Sequence, residues 1–168
     1  LYDERFHRSE DAELYNRVRK AGGKILLVPG VVAYYRARSN PKAFLRHIFA
    51  NGYLITNYLK IGKVAFYRRH LVPLLFVSTV LASAALAMVH PLFLWILLGT
   101  IGAYYLANLL VSLQVSVAQR DLRYAVMMPL VFTMLHWSYG LGSLWGLVKA
   151  LTSKSLWQHL LAARESSG

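Results

Sequence analysis

Two adjacent carboxylates open a basic stretch near the start of the chain, "HRSEDAELYNRVRKAGG" (residues 7–23). Glu10 and Asp11 are of the type that can take a proton from a hydroxyl group as that hydroxyl attacks an electrophile, which is general-base chemistry. An alternative needs no function, because negative charge in the first turn of a helix complements the helix dipole. The residues alone leave both interpretations open.

The pair is predicted to lie at the start of a helix over residues 10–21. Ser9 can act as the N-cap, because its hydroxyl can accept a hydrogen bond from a first-turn N–H. Gly22 can adopt the left-handed conformation that ends a helix. Positive residues in the second half complete a charge order that favours the helix.

Two runs rich in β-branched and aromatic residues follow this helix, over residues 24–29 and 31–38. Their composition favours strands. A helix and two strands of this length cannot enclose a core by themselves. We therefore expect an α/β remnant over residues 1–40, with a preceding part of the protein or another chain completing the sheet.

Charge is unevenly distributed along the 168 residues, of which 57% are hydrophobic. Of the 19 Lys and Arg residues, 14 lie in residues 1–70, whereas residues 71–119 and 125–148 hold no Asp, Glu, Lys or Arg. Apolar runs of this length are typical of membrane-spanning helices. The net charge of +12 therefore indicates cytoplasmic loops beside a membrane rather than nucleic-acid binding. The absence of cysteine excludes disulfides and thiolate metal sites.

An amphipathic interfacial helix or linker is predicted over residues 41–70, with Asn40 as its N-cap and Pro41 as its first residue. The membrane region, residues 71–148, is predicted to be all-α with two to three transmembrane helices. The third apolar segment is favoured as a span over a re-entrant segment. A polar tail ends the chain. The predicted spans cover residues 71–89, 92–113 and 125–148, and the polar tail covers residues 149–168.

Polar and small residues in the third apolar segment have two interpretations each. His136 is expected to be a hydrogen-bonded packing residue, with a role in a functional site as the alternative. Gly142 and Gly146 have the small-xxx-small spacing that allows close helix packing, either within the chain or between copies.

The first 38 residues, "YDERFHRSEDAELYNRVRKAGGKILLVPGVVAYYRARS" after Leu1, resemble the end of the catalytic domain of family-two inverting glycosyltransferases. The similarity is closest to the bacterial exopolysaccharide type, such as succinoglycan-biosynthesis enzymes. The later stretch "HWSYGLGSLWGL" (residues 136–147) also resembles the membrane part of that group. The resemblance implies a GT-A fold for the front of the chain.

The resemblance also implies roles for individual residues. Asp11 would be the general base that deprotonates the acceptor hydroxyl, and Glu10 would shape the acceptor pocket. Arg17, Arg38 and Asp3 would contact substrate or phosphate, although for the two arginines a solvated surface is the alternative. The implied cofactor is a divalent metal, Mg²⁺ or Mn²⁺, with no ligands in this chain.

The whole chain would then transfer a sugar from a nucleotide-sugar donor to a lipid-linked or polysaccharide acceptor in cell-surface polysaccharide biosynthesis. We expect the donor-binding half and the metal ligands to lie upstream of Leu1, so that this chain alone is inactive. His47 and Ala50 stand where processive synthases carry a Gln and an Arg, which favours transfer of one sugar. We expect the chain to cross the bacterial inner membrane several times, with its catalytic part in the cytoplasm. Whether it forms homo-oligomers is left open.

A different class of function also accounts for the charge and the apolar runs. The chain could be a non-enzymatic membrane hairpin module whose basic front binds anionic lipid or docks a partner protein. That interpretation does not explain why the acidic pair, Glu10 and Asp11, lies in the expected α/β front of the chain. An in-frame domain upstream with an Asp-x-Asp after a strand would favour the enzyme.

Overall fold

A computed structural model describes residues 10–26, 28–34, 40–57 and 70–154 of the chain. These residues form five helices and no strand. The helices are α1 (Glu10–Lys20), α2 (Pro41–Asn57), α3 (Leu71–Leu86), α4 (Pro91–Gln119) and α5 (Arg123–Leu151).

The predicted α/β remnant of a GT-A domain is therefore wrong for the described residues, which are all helical or irregular. The two runs expected to be strands lie without regular structure where they are described. Leu26 and Tyr34 are 83% and 96% exposed, so their side chains pack on nothing that could complete a sheet. Composition alone does not form a strand, because a strand needs a hydrogen-bonded neighbour and a covered face.

Helix α1 begins and ends close to the predicted residues. Gly22 has φ +81° and its N–H bonds to the carbonyl of Arg19 at 3.1 Å, which confirms the left-handed end of the helix. Arg17, Arg19 and Lys20 lie in the last turn, where positive charge complements the helix dipole. Within the described part of the chain, α1 has no substantial packing against the other four helices.

Helix α2 begins as predicted. The side-chain oxygen of Asn40 accepts from the N–H groups of Lys42 at 2.9 Å and Ala43 at 3.4 Å, and Pro41 is the first helical residue. Asn40 therefore caps two of the N–H groups that a helix start leaves unpaired. Helix α2 then packs along α5, which is the most extensive helix–helix contact among the described residues.

A short connection joins α3 to α4. His90 is extended, its Nδ1 accepts from the N–H of Leu92 at 3.1 Å, and Pro91 begins α4. Helix α3 ends at Leu86, three residues before the predicted end of the first span, because residues 87–89 form a turn. Its 16 residues span only about 24 Å, less than the roughly 30 Å of a bilayer core.

One helix of the described residues, α4, is long and apolar enough to cross a membrane. The prediction of two to three transmembrane helices is corrected accordingly. Helix α3 is apolar but short, and α5, although 29 residues long, carries polar side chains along its middle. The apolar runs in the sequence correctly predicted where helices lie. They did not predict how many of these helices are long and apolar enough to cross a membrane.

Helix α5 contacts the other three bundle helices, α2, α3 and α4, and glycines allow its closest approaches. A Cβ on Gly142 would lie under 3.0 Å from the backbone of Phe49, and one on Gly146 would lie under 3.0 Å from Tyr53 and Thr56. Gly140 is similarly tight against Pro73 and Val77 of α3. The predicted use of Gly142 and Gly146 in close helix packing is thus met within one chain.

Hydrogen bonds reinforce these contacts. The hydroxyl of Thr56 donates to the carbonyl of Ser143 at 2.8 Å, and the hydroxyl of Ser138 donates to the carbonyl of Leu45 at 2.8 Å. Both bonds join α2 to α5 and give these largely buried hydroxyl groups a partner on the facing helix.

Candidate functional site

The predicted general base, Asp11, is exposed to solvent. It is the second residue of α1, which begins at Glu10. The side chain of Glu10 falls outside what the structure describes, as do Asp3 and Arg38. The Asp11 carboxylate is therefore accessible to solvent at the start of a helix.

The predicted phosphate contact Arg17 is exposed in the last turn of α1. Arg17 lies six positions after Asp11, which places the two Cα atoms about 9 Å apart along the helix axis. Within the described residues, α1 therefore holds an acidic and a basic end rather than one converging site. No group of three or more His, Cys, Asp or Glu side chains in the described residues could hold a metal ion.

A second set of polar residues converges inside the helical bundle. Nδ1 of His136 lies 2.9 Å from the carbonyl of Phe132 and 3.2 Å from the hydroxyl of Tyr104. The carbonyl can only accept, so Nδ1 of this histidine donates to it. His136 is therefore the hydrogen-bonded histidine that the sequence predicts, and it also joins a polar group on α4.

Asn108 is the third polar member, one turn beyond Tyr104 on α4. Its Nδ2 donates to the carbonyl of Pro129 at 3.4 Å, and its side chain is only 7% exposed. The same Pro129 carbonyl, inside α5, also accepts from the hydroxyl of Thr133, four positions on, at 2.7 Å. The Oδ1 of Asn108 is buried and accepts no hydrogen bond within the described part of the chain.

Aromatic rings hold Tyr104 in place. The ring of Phe76 on α3 stacks on Tyr104 with centroids 4.2 Å apart, and Trp137 meets Phe76 edge-on at 5.8 Å. Tyr104 also meets the His136 ring edge-on at 5.6 Å. Offset and edge-on pairs of this kind add to the stability from apolar burial and fix ring orientation.

A cavity of about 280 Å³ lies beside this polar group, between α3, α4 and α5. The polar residues Tyr104, Asn108 and His136 form part of its wall. The rest of the wall is apolar and consists of Val72, Ala107, Val111 and Phe132. We call this cavity the α3–α4–α5 groove.

Sequence reasoning singled out His136 but missed Tyr104 and Asn108. A signal for Asn108 was present, because an amide within a charge-free run of membrane-helix length requires a hydrogen-bonding partner. No local pattern could pair Asn108 with Pro129 or Tyr104 with His136, since these contacts depend on how α4 and α5 pack.

Comparisons of this chain with family models, with curated proteins and with solved structures find no match.

Proposed function

We propose that this chain belongs to a membrane glycosyltransferase that transfers a sugar from a nucleotide-sugar donor to a lipid-linked or polysaccharide acceptor. The reaction would serve cell-surface polysaccharide biosynthesis at the bacterial inner membrane, with the basic front of the chain in the cytoplasm. The observation that carries the proposal is the exposed Asp11 carboxylate at the start of α1, within the stretch that resembles family-two enzymes.

The role of Asp11 is proton transfer. Its carboxylate takes the proton of the acceptor hydroxyl as the hydroxyl oxygen bonds to the anomeric carbon of the donor. The bond from that carbon to the diphosphate oxygen breaks, and the nucleoside diphosphate leaves with the electron pair. Attack opposite the leaving group inverts the anomeric configuration, and a positioned base contributes about 10²- to 10⁴-fold to such a rate.

Developing charge on the diphosphate calls for positive groups nearby. Arg17 is exposed and has the chemistry to bind a phosphate oxygen. The divalent metal is an expectation from the resemblance alone. The described residues do not fit a metal site, so proton transfer by Asp11 is the only step assigned to them.

A membrane location is supported by the surface of α4. Large apolar side chains cover that surface, and Trp95, Leu106 and Leu110 are 71%, 59% and 53% exposed. A contiguous apolar surface of this extent on a helix of 29 residues is typical of a lipid-facing helix. An acceptor that carries a lipid would reach the enzyme from the same membrane.

The test is sugar transfer by the polypeptide that the complete open reading frame encodes, measured in membrane vesicles. Each of a panel of radiolabelled nucleotide sugars is supplied, and label is counted in lipid-extractable and polymeric material. Asp11→Asn should reduce transfer at least about a hundredfold while membrane insertion is unchanged.

Glu13→Gln is the matched control, because it removes one negative charge from the same helix turn. It should retain transfer to within about threefold. Undiminished transfer in Asp11→Asn would refute the assignment of the base. Equal losses in both variants would refute it as well, because net charge in the turn would then account for the effect.

A second candidate function is a non-enzymatic module that binds anionic lipid. It is favoured by the basic last turn of α1 together with the exposed apolar residues that follow, such as Leu26 and Val31, at 83% and 77% exposure. Salt-sensitive binding to anionic vesicles, with no transfer from any nucleotide sugar, would favour this function over the enzyme.

A further inference from the structure

An open cleft lies where the chain turns away from the end of α1. Its volume is about 590 Å³, and the described residues that line it are Arg19, Gly23, Lys24, Ile25 and Leu26. Two positive and two aliphatic side chains therefore share one cleft, which is large enough for a small ligand. We call this cavity the α1 cleft.

A turn with two defined hydrogen bonds fixes the shape of the α1 cleft. The N–H of Gly23 donates to the carbonyl of Val18 at 2.9 Å. The N–H of Gly22 donates to the carbonyl of Arg19 at 3.1 Å, with Gly22 in the left-handed conformation at φ +81°. This is the Schellman motif, in which the chain leaves a helix in one defined direction. Lys24 thereby comes to line the same cleft as Arg19.

The charge around the α1 cleft selects an anion. Arg19 and Lys24 are exposed, so a ligand in the cleft can reach both side chains. Arg17 and Lys20 add two positive charges in the last turn of α1. The sequence holds no Asp or Glu from residue 14 to residue 120, so no acidic residue of that segment neutralises these cations. Arginine and lysine are the side chains that bind phosphate oxygens most strongly.

The aliphatic residues distinguish a lipid phosphate from a soluble one. Leu26 and Ile25 are 83% and 50% exposed, and the apolar residues Val31, Val32 and Tyr34 are exposed as well. A soluble phosphate compound in the cleft would leave these side chains in water. A phospholipid brings phosphate and hydrocarbon together, so its headgroup binds the cations while the bilayer covers the apolar residues.

The chain keeps this exposed apolar segment close to a membrane. Tyr34 lies seven positions before Pro41, the first residue of α2, so the two residues are at most about 25 Å apart. Helix α2 packs on α5, and α5 contacts α4, which is long and apolar enough to cross a bilayer. A bilayer core is only roughly 30 Å thick, so the segment can reach the bilayer surface.

We propose that the α1 cleft binds the phosphate of an anionic phospholipid. The guanidinium of Arg19 and the ammonium of Lys24 bind the phosphate oxygens, and Leu26 lies against the hydrocarbon of the lipid. This gives a defined site to the anionic-lipid binding considered above as a second function. The inference rests on the membrane location of α4 and on no step of sugar transfer, so it applies to an enzyme and to a non-enzymatic module alike.

The experiment uses the polypeptide that the complete open reading frame encodes, reconstituted in nanodiscs. The 168 residues contain no cysteine, so Val31→Cys gives an attachment point for a nitrobenzoxadiazole fluorophore outside the cleft. Nitroxide-labelled lipids quench the fluorophore where it contacts the bilayer, and fluorescence lifetimes give the ratio of quenched to unquenched probe. That ratio should be at least about tenfold higher in discs that contain phosphatidylglycerol than in discs of phosphatidylcholine alone, and high salt should remove the difference.

Two double variants locate the phosphate. Arg19→Gln combined with Lys24→Gln removes both cations of the α1 cleft and should lower the ratio at least about tenfold in the anionic discs. Lys20→Gln combined with Lys42→Gln removes the same charge from exposed positions that do not line the cleft. This matched control should lower the ratio less than about threefold, because its cations act only through the general field of the surface.

Inorganic phosphate distinguishes a lipid headgroup from a soluble anion and needs no variant of the cleft. Added to the anionic discs and compared with chloride at equal ionic strength, it should not release the probe, because it brings no hydrocarbon to cover the apolar segment. Release by inorganic phosphate would show a site for a soluble anion and would refute the lipid.

Three further outcomes would overturn the proposal. One is an equal ratio in neutral and anionic discs. Another is an equal loss in the two double variants, since general surface charge would then account for the binding. The third is a probe shielded from water but not quenched by the labelled lipids, because protein would then cover the apolar segment. These readouts do not involve sugar transfer, so the role of Asp11 is left to its own test.

Discussion

The hydroxyl of Thr56 donates a hydrogen bond to the backbone carbonyl of Ser143, 2.8 Å away on the facing helix. Thr56 is 1% exposed, and the same hydroxyl lies 3.2 Å from the carbonyl of Gly52 in its own helix. The bond thus couples α2 to α5 within an interface where glycines allow the two backbones to approach closely.

Thr56→Val should lower the free energy of unfolding by about 1 kcal/mol. Valine has nearly the same shape, so the change removes the hydrogen bond and leaves the packing. Equilibrium unfolding in mixed detergent micelles measures the effect. Thr79→Val, at an exposed position of α3, should be neutral, and a loss as large there would contradict the role given to the Thr56 bond.

Gly146→Ala should separate α2 from α5 and destabilise the protein by roughly 1–3 kcal/mol, the range seen for overpacking. The added Cβ would meet the carbonyl of Tyr53 and the hydroxyl of Thr56. Gly102→Ala is the matched control, because a Cβ there meets nothing within 4 Å. The control should be neutral or stabilising by up to about 1 kcal/mol, since alanine favours a helix. Similar stability in both variants would contradict the close α2–α5 contact.

Arg120→Gly should stabilise the protein relative to Arg120→Ala by about 1 kcal/mol. Arg120 ends α4 with φ 54°, the left-handed conformation that side chains with a Cβ disfavour. Both variants lose the positive charge, so the difference between them reports the backbone conformation alone. Thermal unfolding of the two variants supplies the comparison. Identical unfolding midpoints would contradict the left-handed conformation of residue 120.

Cysteines placed at the two ends of α4 should react from opposite sides of the membrane. The chain has no cysteine of its own, and Met88 and Leu122 are 92% and 82% exposed in the turns that flank α4. A membrane-impermeant maleimide should label Leu122→Cys from the cytoplasmic side, next to Arg120 and Arg123, and Met88→Cys from the other side. Labelling of both positions from one side would show that α4 does not cross.

Local signals in the sequence predicted the helix ends well. Asn40 with Pro41 starts α2 and Gly22 ends α1, as their types indicate, because capping and turn geometry depend on a few neighbouring residues. The glycines of α5 were also informative, since their spacing places them on one face.

Features that depend on distant residues were not predictable in the same way. The β-rich runs around Leu26 and Tyr34 formed no strand, because a strand is decided by the partner it finds. The length of α3 was overestimated, because an apolar run continues through the turn that ends the helix. The polar group around Asn108 required the packing of α4 on α5, which hydropathy does not specify.

The contact between α2 and α5 also limits how the sequence can change over time. Any relative that keeps this contact needs the smallest side chain at Gly52, Gly142 and Gly146, because a methyl group at each would strike the opposite backbone or a buried hydroxyl. Gly99 and Gly102 face open space on α4, so selection for packing leaves them free to drift. The glycines of the α2–α5 contact should therefore change much more slowly among relatives than the two glycines of α4.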